Sequence, residues 1–142
     1  MATQARGGFG TKLYRDNGSG TFTAIAEIGD INGPELTQIM EDATNMDSPN
    51  GWGEKIAVGL REAGDVSFQM HLLQDDSTQN ALLSDLGAST LSNFRIVLAG
   101  GTKRWSFSGY VTKIGQSYPL KGKMMNDVTI AITGRPVKEA HP

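Results

Sequence analysis

Apolar and polar residues alternate with a period of two along much of the chain, which is how half-buried antiparallel strands read in sequence. From 65 to 72, Val66, Phe68, Met70 and Leu72 point one way and Ser67, Gln69 and His71 the other. From 104 to 114, Trp105, Phe107 and Val111 oppose Ser106, Ser108 and Thr112; from 127 to 133, Val128, Ile130 and Ile132 oppose Thr129, Ala131 and Thr133. Strands are also predicted at 22–28, with Phe22, Ala24, Ala26 and Ile28 on one face, at 36–42, and at 93–98. Gly29 to Pro34 reads as a strand break, Gly100-Gly101 as a hairpin turn, and Ser117 to Met125 as a longer loop.

One segment breaks this period. Asp75-Asp76-Ser77 offers N-cap side chains, and Thr78 to Leu86 sets Leu82 and Leu86 one turn apart. Gly87 is expected to end the helix in the left-handed region. So short a helix must pack its leucines on a sheet to persist. The pattern therefore predicts a mainly β fold, a β-sandwich or open barrel with one flanking α-helix, in a single domain spanning 1–142. Residues 1–12 are expected to form a flexible N-terminal arm, 44–60 a long loop, and 136–142 a C-terminal tail.

Composition mainly removes options. The chain has 142 residues and no cysteine, so thiolate metal sites and cysteine nucleophiles are excluded. Two histidines, His71 and His141, are too few for a histidine metal cluster, and no Gly-x-Ser-x-Gly elbow presents a serine. Glu41-Asp42 would point to opposite faces of a strand, and Asp75-Asp76 is accounted for as a helix cap. Gly7 to Lys12 lacks the spacing of a phosphate loop. We therefore expect no enzyme activity, no catalytic residue, no metal and no cofactor. No apolar run or signal core suggests membrane anchoring.

Charge and the polar faces add two further expectations. Thirteen acids lie between 16 and 85 against Lys55 and Arg61, while eight bases lie between 86 and 142 against Asp127 and Glu139. The net charge is only −2, so either folding mixes the two halves or opposite faces pair head to tail. Lys103-Arg104-Trp105 forms a small basic-aromatic patch, but a pI near 5.6 argues against sequence-specific nucleic-acid binding. Ser67, Gln69, Ser106, Ser108, Thr112, Thr129 and Thr133 would make an outward sheet surface of small neutral side chains, where solvated sheets favour lysine and glutamate.

A series of short motifs, ordered along nearly the whole chain, carries a family resemblance. It runs from Gly10-Thr11-Lys12 through Phe22 to Ile28, then Asp47-Ser48-Pro49-Asn50-Gly51, Gly59-Leu60 and Gly64-Asp65-Val66-Ser67-Phe68. In that order and spacing the chain resembles the tail tube proteins of siphophages, relatives of the lambda major tail protein. The resemblance implies a tail tube fold whose inner sheets join into a ring, usually a hexamer, and rings that stack into a hollow tube. It also implies partners: further copies of the chain, the tape measure protein, tail tip and tail terminator proteins, and genomic DNA in non-specific transit. The protein would then reside in the virion, after assembly in the host bacterial cytoplasm. On this reading Met46, Asp47, Ser48, Pro49, Trp52 and Ile56 are candidate inter-ring contacts, and the neutral face from Ser67 to Thr133 is a candidate lumen lining. The competing readings are the inner tube of a contractile tail or secretion system, and a monomeric β-sandwich binding module.

Overall fold

A computed structural model describes residues 7–18 and 20–141. Among them are nine strands and one α-helix: β1 (Lys12–Asp16), β2 (Phe22–Ala24), β3 (Ile28–Asn32), β4 (Leu36–Asp42), β5 (Lys55–Ala63), β6 (Asp65–His71), α1 (Ser77–Ala88), β7 (Ser92–Val97), β8 (Lys103–Ser117) and β9 (Met125–Ala140). Seven strands form one antiparallel sheet in the order β2-β1-β7-β8-β9-β6-β3, and β4 and β5 pair separately as a hairpin.

The sheet is curled, as chain connectivity requires. Its edges are β2 and β3, yet only residues 25–27 separate them. Four residues reach at most about 14 Å, whereas seven flat strands would set the edges about 29 Å apart. The sheet therefore wraps into an open barrel around its apolar face. Inside lie Leu13, Ile25, Val66, Phe68, Met70, Phe94, Ile96, Phe107, Val111, Val128 and Ile130, with Leu82 of α1 closing the cluster. Phe94 and Phe107, paired across β7 and β8, stack at 5.7 Å. Each such side chain contributes roughly 1.5–3 kcal/mol on burial. Gly109 alternates with Phe107 and Val111 onto the same face, where a Cβ would meet Ile130 Cγ2 at 2.8 Å, besides the Ala131 carbonyl oxygen at 2.5 Å.

The helix is capped at both ends, though its C-terminus lies past the expected one. Asp76 accepts from the backbone N–H groups of Thr78 and Gln79, each at 3.1 Å. The left-handed residue is Ser89 (φ 54), not Gly87, which stays within the last turn. Gln79 then ties the helix to the β2–β3 link and the end of β6, its Nε2 donating to the carbonyls of Ala26 (3.2 Å) and His71 (2.8 Å).

Several sequence expectations are corrected. The strand predicted at 22–28 breaks where Glu27 takes φ 51, so Ile25, not Ala24 or Ala26, is the buried residue. The presumed break from Gly29 is strand β3. The 1–12 arm lies outside the described residues up to position 6; beyond it a turn leads into β1, which begins at Lys12. The 44–60 loop is a loop only as far as residue 54, since β5 begins at Lys55. The 136–142 tail is strand to Ala140: Pro136 is buried, and Val137 to Ala140 pair with β8. The end of β9, Val137-Lys138-Glu139-Ala140, carries no alternation to read.

Candidate assembly surfaces

The outward barrel face is built by register. Ser67 lies opposite Thr129, Gln69 opposite Asp127, and Ser108 opposite both Asn93 and Thr133. Ser106 lies opposite Arg95 and Val137. Strand periodicity thus places Ser67, Gln69, Ser106, Ser108, Thr129 and Thr133 on one continuous surface. Thr112 departs from the expected alternation. It is the extra residue of a bulge between Val111 and Lys113, and its hydroxyl donates to the Thr129 carbonyl at 3.2 Å. Lys113 takes the position opposite Thr129 instead.

Hydrogen bonds hold this surface, and it is not purely neutral. Ser108 Oγ donates to Asn93 Oδ1 at 2.6 Å, and Arg95 stacks its guanidinium 3.7 Å above the Phe22 ring. Glu139 accepts from the Ser106 hydroxyl and from Arg104 Nε at 3.0 Å. Those two donors hold the Glu139 carboxyl below the usual carboxylate range. Asp65, Asp127 and Lys113 add charge along the same strands. The cation over an aromatic ring and the partly buried pair of Arg15 with Asp85 were missed at the sequence level, because their partners are far apart in the chain.

The second surface is the β4–β5 hairpin, which holds all six candidate contacts. Met46, Asp47, Ser48, Pro49 and Trp52 lie in its connecting loop, with a tight turn over Pro49–Gly51, and Ile56 pairs with Glu41 at the start of β5. Residues 55–62 are exposed on both faces of the strand. Apolar groups are left in solvent: Met46 is fully exposed, Trp52 75%, Leu60 62% and Leu36 61%. Residues 55–60 read as loop in the sequence because a strand that buries neither face gives no amphipathic contrast. The loop itself is well formed. Asn45 and Ser48 exchange hydrogen bonds, and Thr44 Oγ1 accepts from Glu54 N at 2.8 Å.

The hairpin and the loop before Met125 lie at opposite ends of β6, the first acidic and the second carrying two lysines. The hairpin leaves the barrel where β6 begins, since only Gly64 separates Ala63 of β5 from Asp65. Its outer part bears Glu41, Asp42, Asp47 and Glu54 against Lys55. At the other end His71 pairs with Met125, and the loop before Met125 carries Lys121 and Lys123, with Asp75, Asp76 and Asp127 near the same end. Among the described residues no cluster of His, Cys, Asp or Glu could hold a metal ion, and no helix is long and apolar enough to cross a membrane.

Solved structures share this fold. The tail of an empty gene transfer agent particle, refined with C6 helical symmetry, superposes with a TM-score of 0.80 at 19% identity, covering 94% of this chain and 98% of that one. The anti-feeding prophage baseplate contains a chain matching at TM-score 0.79 and 12% identity, over 98% and 97% of the two chains. The SPP1 tail tube protein matches at 0.70 and 11% identity, over 92% of this chain and 77% of its own. No protein of curated function matches at the sequence level. The family model for the lambda phage tail tube protein matches residues 8–139. With that match spanning the barrel, the helix and the exposed hairpin alike, the chain belongs to the lambda phage tail tube protein family, and its role is structural, as a self-assembling subunit of a phage tail tube.

Proposed function

We propose that the subunits close into hexameric rings with the Ser67–Thr133 face toward the lumen, and that each ring stacks on the next through the β4–β5 hairpin. The observation that carries this is the hairpin itself. A barrel with a complete core holds out a hairpin that buries neither of its faces, with Leu36, Met46, Trp52, Ile56, Val58 and Leu60 in solvent. An apolar surface of this kind marks an interaction site. A head-to-tail contact that closes makes a ring, and one repeated with a rise makes a filament. Small hydroxyl side chains and paired charges on the outward barrel face suit a wall past which DNA moves without adhering.

In this reading Met46, Asp47, Ser48, Pro49, Trp52 and Ile56 contact the neighbouring ring. The tape measure protein occupies the lumen during assembly, and tip and terminator proteins close the two ends. The tube forms in the host cytoplasm and is carried in the virion. Negative-stain electron microscopy of the purified protein at increasing concentration tests the proposal. Rings or tubes with six-fold end views are expected; persistent monomers at high concentration would overturn it.

A further inference from the structure

Resting on the stacking reading above, the structure assigns a receptor for the hairpin: a pocket between α1, β8 and β9 that takes Trp52 of a second copy of this chain, with the indole N–H donating to Asn126 Oδ1. The cavity has a volume of about 350 Å³. Leu72, Leu83, Ile114, Tyr118 and Met124 give it apolar walls, and Asn126 lies at its base. Asn126 is only 3% exposed, yet its Oδ1 has no hydrogen-bond partner. The other buried amide in the wall, Gln79, is fully used: it donates to Ala26 and His71 and accepts from Leu73 N. The buried part of the wall is therefore apolar with one unmet acceptor, and the exposed amides of Gln74, Asn80 and Gln116 complete the lining.

That chemistry selects its occupant. Tryptophan has a large apolar body and one N–H that only donates. Trp52 is the tryptophan this chain leaves in solvent, at the end of a hairpin that leaves the barrel where β6 begins. The pocket lies where β6 ends, at the opposite pole, which is the relation a head-to-tail stack needs. Charge on one side agrees with the fit. The hairpin brings Glu41, Asp42, Asp47 and Glu54, and the loop between Tyr118 and Met124 of the pocket wall brings Lys121 and Lys123, while Asp75 and Asp127 stand on the pocket's other sides. Membership of a tube-forming family makes the partner another copy of the same chain.

Cross-linking in assembled tubes tests the contact, because the chain has no cysteine of its own. Gly53→Cys protein is mixed with Tyr118→Cys protein under mild oxidation, keeping Trp52 intact; a Cβ at Gly53 meets only Thr44 Oγ1 at 3.5 Å. A disulfide-linked dimer is expected from the mixture in tubes and from neither variant alone. Tubes that form without this link would overturn the pocket and leave the stacking reading standing. Wild-type protein that forms no tubes would instead overturn the stacking reading. A second measurement is independent of the cysteines. Trp52→Phe, which removes only the N–H donor, should raise the critical concentration for polymerisation about tenfold, because it leaves a buried acceptor unmet. In an Asn126→Leu background, shown to be folded by circular dichroism, the same change should alter it less than about twofold. Equal effects in both backgrounds would contradict the hydrogen bond.

Discussion

Asp85 lies in the last turn of α1, where the helix's own negative end disfavours a carboxylate. It is 4% exposed and is held there by both nitrogens of a fork: Arg15 Nε and an Arg15 terminal nitrogen each donate at 2.7 Å, and Ser92 Oγ donates at 3.0 Å. The same bond raises the Arg15 pKa above its ordinary value. Such a pair contributes little net stability, but removing Arg15 leaves the buried Asp85 carboxylate with only the Ser92 hydroxyl. We expect Arg15→Ala to lose about 3 kcal/mol in urea unfolding, and the double change Arg15→Ala with Asp85→Leu to recover part of it. A loss below about 1 kcal/mol would mean that Asp85 is solvated in the native state. Nothing in the sequence paired these residues, which stand 70 positions apart.

At the scale of elements, the hairpin is independent of the barrel core. The buried cluster draws on β1, β6, β7, β8, β9, α1 and the β2–β3 link, and on no residue of β4 or β5. Replacing residues 44–53 by an Asn-Gly turn, which favours two-residue hairpins, should therefore leave the melting temperature within a few degrees while abolishing tubes by electron microscopy. A collapse of stability would show that the hairpin completes the fold instead. The six strands predicted by periodicity all have counterparts, because in most of them one face is buried and the contrast survives in sequence. The three that went unread, β1, β3 and β5, are short, bulged or exposed on both sides. Only tertiary pairing defines them.

For the whole molecule, the charge asymmetry of the sequence sets an acidic hairpin at one end of β6 and the Lys121–Lys123 loop at the other. If the two poles meet between rings, tube length should fall as salt rises, since charges at exposed contacts are screened over about 3 Å at 1 M against about 10 Å at 0.1 M. Measuring length distributions from 0.1 to 1 M salt checks this, and lengths that do not change would place the charges elsewhere. The lysines of that loop were legible as charge; their position opposite the hairpin was not, because it depends on the direction in which β6 runs.

The sequence by itself determined the local chemistry: which residues alternate, that a helix is capped within Asp75–Ser77, that no thiol is present, and which family its ordered motifs resemble. These are short-range properties, set by side-chain period and by backbone groups that must find partners nearby. Tertiary structure decided the rest. It curled the sheet, because a three-residue link joins the two edge strands. It turned a presumed loop into a hairpin with both faces free, and left Asn126 buried beside a pocket at the far pole. Those features rest on contacts between residues tens of positions apart, and no local pattern encodes them.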